Sequence, residues 1–305
     1  MGRVKANRAV VWFWNSIVKK GDAKRIAAQQ IPDFDDAVLD VRYADDDNPL
    51  HTLNIYKPKG ATQKLPVILD IHGGGWYYGD KELNSYFCRS LVRHGFAVVD
   101  ISYRLAPETD IFGQVKDVCL AADYIFDNAE KYGLDKRNMF IAGDSAGGHI
   151  SALIANIIND ESLKKKFGVN PSWTLRAAGL ICPALEPLKL APLPKCFMKF
   201  YFNPIFGKGY LKNGVDKTVS FESFLNKDIC PCFFASSYGD FLKKQTRRGY
   251  ELVKAQCIDS EYVYADKPLD KKHNLNHVYN VLNWDWRESE DVNKRMCDFF
   301  KNYLI

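Results

Sequence analysis

Residues 138–158 read NMFIAGDSAGGHISALIANII, and the fold follows from how this stretch divides. Its first part, ending at Gly143, is almost wholly apolar, as in a strand covered on both faces. From His149 the apolar positions recur with the period of a helix. The turn between them, Gly143-Asp144-Ser145-Ala146-Gly147, is G-x-S-x-G in a strand–turn–helix context. The spacing has a steric cause. A serine lifted clear of a sheet on a sharp turn needs small neighbours two residues to either side, where strand and helix come close. The turn also sets the hydroxyl at a helix N-terminus, which favours developing negative charge. Ser145 is therefore a candidate nucleophile.

Working outward, the apolar runs LPVILDI, FAVVDISY, AAGLICP and CFFASS alternate with helical patterns over residues 81–93, 113–132 and 146–160. Such alternation predicts a mostly parallel sheet with helices on both faces. Nearer the N-terminus, AVLDVRY and HTLNIYKP alternate like two antiparallel strands. Two segments stand outside this rhythm. The N-terminal stretch predicts an amphipathic helix packed on the body. Residues 186–226, rich in Phe, Tyr, Pro and Lys, fall where a short crossover would suffice. Their aromatics predict a packed insertion, and over the C-terminal edge of the sheet it would form a lid. We expect one domain, 1–305, with cap elements at about 1–35 and 186–226.

The composition, 47% hydrophobic and 26% charged, is that of a globular protein. The net charge of +5 is scattered, with no basic tract, which argues against a nucleic-acid partner. The eight cysteines are widely spaced and several sit in apolar runs, as Cys182 and Cys297 do. Buried free thiols are expected rather than disulfides. Cys230-Pro-Cys232 lacks a second ligand pair, so no zinc site is expected. Asn15 and Ser16 interrupt a short apolar N-terminal run, and Lys19-Lys20 follows it. Neither a signal peptide nor a membrane span is expected there. Ala6 breaks the myristoylation pattern. A cytoplasmic location follows as the expectation, and a homo-oligomer is left open.

A serine nucleophile needs a base, and the base an orienting carboxylate. In sheets with this elbow the acid and then the histidine follow later strands. CFFASS leads into Tyr238-Gly239-Asp240, which makes Asp240 the candidate acid, although it also stands where it could cap the next helix. Asp228 and Asp259 close no apolar strand. His277 precedes apolar Val278 and Tyr279 and a last helix over 288–303, whereas His273 lies in the polar run DKKHNLN. His277 is the expected base and His273 the alternative. His149, four residues after Ser145, is expected to be structural. The stretch DIHGGGWYYGD, residues 70–80, strings three glycines together at a strand end. They form either a tight turn or a loop baring backbone N–H groups to a ligand. His72 would anchor such a loop.

Three segments together, His72-Gly73-Gly74-Gly75-Trp76, Tyr103-Arg104-Leu105-Ala106-Pro107-Glu108 and Gly143-Asp144-Ser145-Ala146-Gly147-Gly148, resemble the signatures of the hormone-sensitive-lipase-like carboxylesterases. They stand in that family's order and approximate spacing. The likeness is dense from about Pro66 to Asp160, weaker around Ser237–Asp240 and loosest near His277. There the family has a glycine and an aromatic directly after the histidine, and this chain has Val278 and Tyr279. The resemblance implies an α/β-hydrolase fold with a cap, and a serine carboxylesterase using Ser145, Asp240 and His277. It implies oxyanion donors at Gly74, Gly75 and Ala146, with no cofactor or metal. The expected partner is a small-molecule ester with a short or small acyl group. Trp76, Phe197, Phe200, Tyr201 and Phe206 are candidates to line its pocket, with packing inside the cap as the alternative for the insertion aromatics. An acetyl or feruloyl esterase acting on plant polysaccharide, and an arylformamidase or amidase, would share this machinery. A non-catalytic binder that has lost its histidine is opposed by the presence of all three residues.

Overall fold

Eight strands form one sheet: β1 Asp35–Arg42, β2 Thr52–Pro58, β3 Leu65–Ile71, β4 Ala97–Ile101, β5 Leu134–Asp144, β6 Ala178–Ile181, β7 Cys232–Ser237 and β8 Ser260–Ala265. The computed structural model describes residues 8–189 and 195–305, with side chains from 10 to 189 and from 198 onward. Residues 1–7 and the side chains of Cys196 and Phe197 lie outside that set. The strand order is β1-β2-β4-β3-β5-β6-β7-β8. β2 runs antiparallel to β1 and β4, and every neighbouring pair from β4 to β8 is parallel. The six parallel strands therefore end on one edge of the sheet, and the loops carrying His72, Ser145 and Asp240 leave from that edge.

Side chains alternate across a strand, so each central strand feeds two cores. Val67, Leu69 and Ile71 pack with the helices Ile111–Asp127 and Ser145–Ile157. Ile68 packs with Phe87 and Leu91 of Ser85–Leu91 and Phe300 of Arg287–Lys301 on the other face. This explains why the strands read as continuous apolar runs, each buried side chain contributing about 1.5–3 kcal/mol.

The pattern expected as one helix over 81–93 is broken into a turn Lys81–Leu83, a helix Ser85–Leu91 and a turn Val92–His94. Asn84 is the break, because its side chain turns inward to hydrogen-bond Asp70 and Asp144. The insertion is helical where described, with Lys195–Phe206, Val215–Val219 and Phe221–Phe224, and it buries Phe202, Phe206, Phe221 and Phe224. The N-terminal segment runs as the helix Arg8–Trp12, a π-helical stretch Phe13–Val18 and the helix Lys19–Ala28. Of the described cysteines only Cys257 is exposed, and all are free.

Asp70 and Asp100 face each other in register on β3 and β4, both fully buried. Neither oxygen of Asp100 meets an N–H or O–H donor among the described residues. Burial, with the Asp70 charge, pushes Asp100 well above the carboxylate value of 3.8. Burial likewise pushes Asp70 up to about 7, against the opposing hydrogen bond from Asn84. The native state thus holds protons that the unfolded chain releases near 3.8, so this pair lowers stability as pH rises above that value. Asp100→Asn is expected to raise the melting temperature by a few degrees at about pH 8, a gain that shrinks toward about pH 4. A scan of melting temperature against pH checks it.

Candidate active site

β5 ends at Asp144 and the helix Ser145–Ile157 begins at once. Ser145 takes a left-handed backbone, φ +53°, a conformation that costs a non-glycine residue about 1–3 kcal/mol. The flanking glycines have the expected cause. A Cβ at Gly147 would collide with the Ile71 carbonyl, and one at Gly143 would sit 2.5 Å from Ser151 Oγ.

Asp240 follows β7, and the loop bearing His277 is stitched to it. Gly239 N–H and Ser237 Oγ both donate to the Leu275 carbonyl, at 3.2 and 2.7 Å. His277 Nδ1 meets Asp240 Oδ1 at 2.7 Å, and its Nε2 meets Ser145 Oγ at 2.9 Å. Because the carboxylate accepts, Nδ1 carries the proton, and Nε2 is free to accept from the serine hydroxyl. Asp240 is fully buried. Burial pushes its carboxyl up, but His277, Ser236 Oγ and the Leu242 N–H outweigh this and hold it below the usual range, ionised. Val278 adopts φ +53° and ψ +29°, a backbone that glycine enters freely and a β-branched residue rarely. The glycine-like geometry after the histidine is therefore kept here without the glycine.

The alternatives lie elsewhere. His273 Nδ1 pairs with Glu288 at 3.0 Å, and its ring stacks on Trp286 at 4.0 Å. Asp228 and Asp259 precede β7 and β8, on the sheet edge opposite Ser145. His149 donates from Nε2 to the Val219 carbonyl at 2.8 Å, and burial pushes it down to about 4, neutral.

The loop after β3 is held by its carbonyls. Tyr103 Oη donates to His72 O, and His72 Nδ1 to Gly73 O, each at 2.7 Å. The N–H groups of Tyr77 and Tyr78 donate to Gly74 O, and Tyr201 Oη donates to Gly75 O at 3.0 Å. Ala106 N–H and Gln114 Nε2 donate to Trp76 O. Burial keeps His72 neutral by pushing it down to about 4. Gly73 N–H donates to Asp144 Oδ1, which also accepts from Asn84, each at 2.9 Å. Gly74 and Gly75 have φ of +110° and +59°, and no acceptor among the described residues takes their N–H groups. Ala146 lies in the first turn of its helix, where N–H groups lack an intrahelical partner.

Gly74, Gly75, Ala146, Ser145 and His277 all border one cavity of about 290 Å³. Of the expected lining residues, Trp76 and Tyr201 border it. Phe200 and Phe206 do not. One helical step past the inward side leaves Phe200 57% exposed, and Phe206 is buried behind Trp76, stacked on Phe202. Phe197 lies outside the described side chains. Sequence reasoning missed Trp14, Val18, Asp22, Tyr78, Phe241 and Leu282, which also border the cavity. The i, i+4, i+8 spacing of Trp14, Val18 and Asp22 was the available signal for the first three.

Two groups of described residues come close enough to share a cation: Cys182, Asp240 and His277, and Asp70, Cys88 and Asp100. In the first, Asp240 and His277 are committed to the hydrogen bonds above. In the second, burial drives both carboxyls toward the neutral form, which suits a proton better than a metal.

A family model described as BD-FAE matches residues 53–178. Esterase B from Lactobacillus rhamnosis superposes with a TM-score of 0.90 at 29% identity, covering 97% of this chain and 96% of that one. The same esterase, inhibited with a tributyrin phosphonate, superposes with a TM-score of 0.88 at 29% identity, covering 97% and 94%. Arylacetamide deacetylase of Oryctolagus cuniculus is 35% identical over 166 residues, 52% of this chain and 39% of that protein. Carboxylesterase NlhH of Mycobacterium tuberculosis is 36% identical over 109 residues, 35% and 34% of the two chains. The chain thus matches 32–39% of the length of its first curated relatives. Among the described residues no helix is long and apolar enough to cross a membrane.

Proposed function

We propose that the chain is a serine carboxylesterase of the hormone-sensitive-lipase-like group of α/β-hydrolases, acting on short-chain or small acyl esters. The observation that carries this reading is the unbroken hydrogen-bond path from Ser145 Oγ through His277 to Asp240, at 2.9 and 2.7 Å, at the wall of a cavity. Ser145 Oγ attacks the ester carbonyl while His277 Nε2 takes its proton. The tetrahedral oxyanion is received by the N–H groups of Gly74, Gly75 and Ala146, donors of a kind whose removal costs about 3–4 kcal/mol each. His277 then protonates the departing alcohol, and Asp240 stabilises the imidazolium between these steps. Water, deprotonated by His277, attacks the acyl-enzyme, releasing the acid and restoring Ser145.

On this reading residues 1–35 and 186–226 form the cap of a single hydrolase domain, 1–305. A cavity of about 290 Å³ sits at the small end of ligand pockets, and its walls of Trp14, Trp76, Tyr78, Tyr201 and Phe241 are aromatic. That favours a small apolar acyl group, in keeping with the tributyrin phosphonate taken by esterase B. A second reading, hydrolysis of aryl amides, draws on the arylacetamide deacetylase relative.

The test is a panel of p-nitrophenyl acetate, butyrate, octanoate and laurate beside an acetanilide, an acetylated sugar and a feruloyl ester. We expect kcat/KM to peak at acetate or butyrate and to fall about tenfold or more by laurate. Preference for the laurate, sugar or feruloyl ester overturns the substrate class, and faster anilide turnover moves the protein to the second reading.

A further inference from the structure

The loop from His72 to Trp76 presents five carbonyls, and four of them are held by the hydrolase body. Tyr103, His72 itself, the Tyr77 and Tyr78 amides, and Ala106 with Gln114 supply those donors. The fifth, Gly75 O, is held by Tyr201 Oη of the insertion helix Lys195–Phe206. The contact is reciprocal, because Tyr77 Oη of the loop donates back to the Tyr201 carbonyl at 2.6 Å. The two rings also pack edge to face at 5.2 Å. Gly75 is the point where both excursions from the sheet converge. A Cβ there would collide with the Trp14 ring from the N-terminal segment and lie 2.5 Å from Tyr201 Oη.

Resting on the esterase reading above, we propose that Tyr201 is a positioning residue for acyl transfer. Its hydrogen bond to Gly75 fixes the last free peptide of the donor loop, so that seating the insertion helix and aiming the oxyanion donors are one event. The chemistry follows from where the bond acts. The Gly75–Trp76 peptide follows a residue that borders the cavity and whose N–H meets no acceptor among the described residues, and with φ at +59° Gly75 has wide backbone freedom unless its carbonyl is held. An N–H that wanders loses strength toward an oxyanion in the transition state far more than toward a neutral ground-state carbonyl. A residue that only walls the pocket would instead act on substrate affinity.

Tyr201→Phe removes one oxygen and keeps the ring, so the cavity wall survives. With p-nitrophenyl butyrate we expect kcat to fall about tenfold, KM to stay within about twofold, and the pH dependence of kcat to keep its wild-type shape. The rate of inactivation by an alkyl p-nitrophenyl phosphonate, which forms a tetrahedral adduct, should fall in proportion to kcat/KM. Tyr77→Phe, which loosens the helix without touching Gly75, should lower kcat in the same direction, and Phe200→Ala, on the exposed side of that helix, should not. Melting temperatures accompany each variant, and Tyr77→Phe carries the decision if Tyr201→Phe fails to fold. Unchanged kcat in both tyrosine variants, or a raised KM at constant kcat, overturns the inference. Hydrolysis that survives Ser145→Ala overturns the esterase reading instead, so the two failures are told apart.

Discussion

Ser145→Ala is expected to abolish ester hydrolysis, lowering kcat by on the order of 10⁶-fold, while the protein stays folded. On the proposed acyl-enzyme route the loss is of this size because without Oγ no covalent intermediate forms. What remains is the modest catalysis of donors and binding alone, about 10³–10⁴ over water. The fold should survive because among the described residues Oγ makes one hydrogen bond, to His277, and the strained turn is set by the tightly packed glycines around it. Alanine at φ +53° carries much the same backbone cost as serine. Circular dichroism beside p-nitrophenyl butyrate turnover decides the matter, and substantial turnover in a folded variant would remove Ser145 from the mechanism.

The second large effect separates two histidines that stand close in the chain. His277→Ala is expected to cost about 10⁴-fold or more in kcat, because Ser145 loses the acceptor for its proton. It also removes the largest of the contributions that oppose the burial of the Asp240 carboxylate, leaving Ser236 Oγ and the Leu242 N–H. His273→Ala is expected to keep kcat within a few-fold and to lower stability by about 1 kcal/mol, through loss of its Glu288 bond and Trp286 stack. Parallel assays of kcat and melting temperature check both. If the His273 variant were the inactive one, the geometry at Ser145 would have been misread.

Both predictions concern residues that were visible before any fold was known, and the reason is local. G-x-S-x-G records a steric conflict between chain neighbours, seen in the clash that a Cβ at Gly143 would meet with Gly147 and Ser151. The apolar runs record burial on both sides of a parallel sheet, which the two cores on its faces bear out. Asp240 was legible because it closes the run CFFASS, and His277 because apolar residues follow it. The helix expected over 81–93 failed for a non-local reason. Asn84, unremarkable in sequence, is drawn inward by Asp70 and Asp144, which lie 14 and 60 residues away in the chain. Val278 shows the converse: the missing glycine suggested a departure from the family, yet the backbone takes the glycine-like conformation and holds His277 against Asp240.

The sequence by itself determined the strand–helix alternation, the G-x-S-x-G turn at Ser145 and the glycine loop. These depend on sterics and periodicity among residues a few positions apart. Only the tertiary structure decided which aromatics meet the cavity. It turned Phe200 outward, placed Phe206 behind Trp76, and brought Trp14 and Tyr201 onto Gly75 from segments far apart in the chain. A side chain's direction within a helix is set by what that helix packs against, and here the partner of each wall residue is distant in sequence.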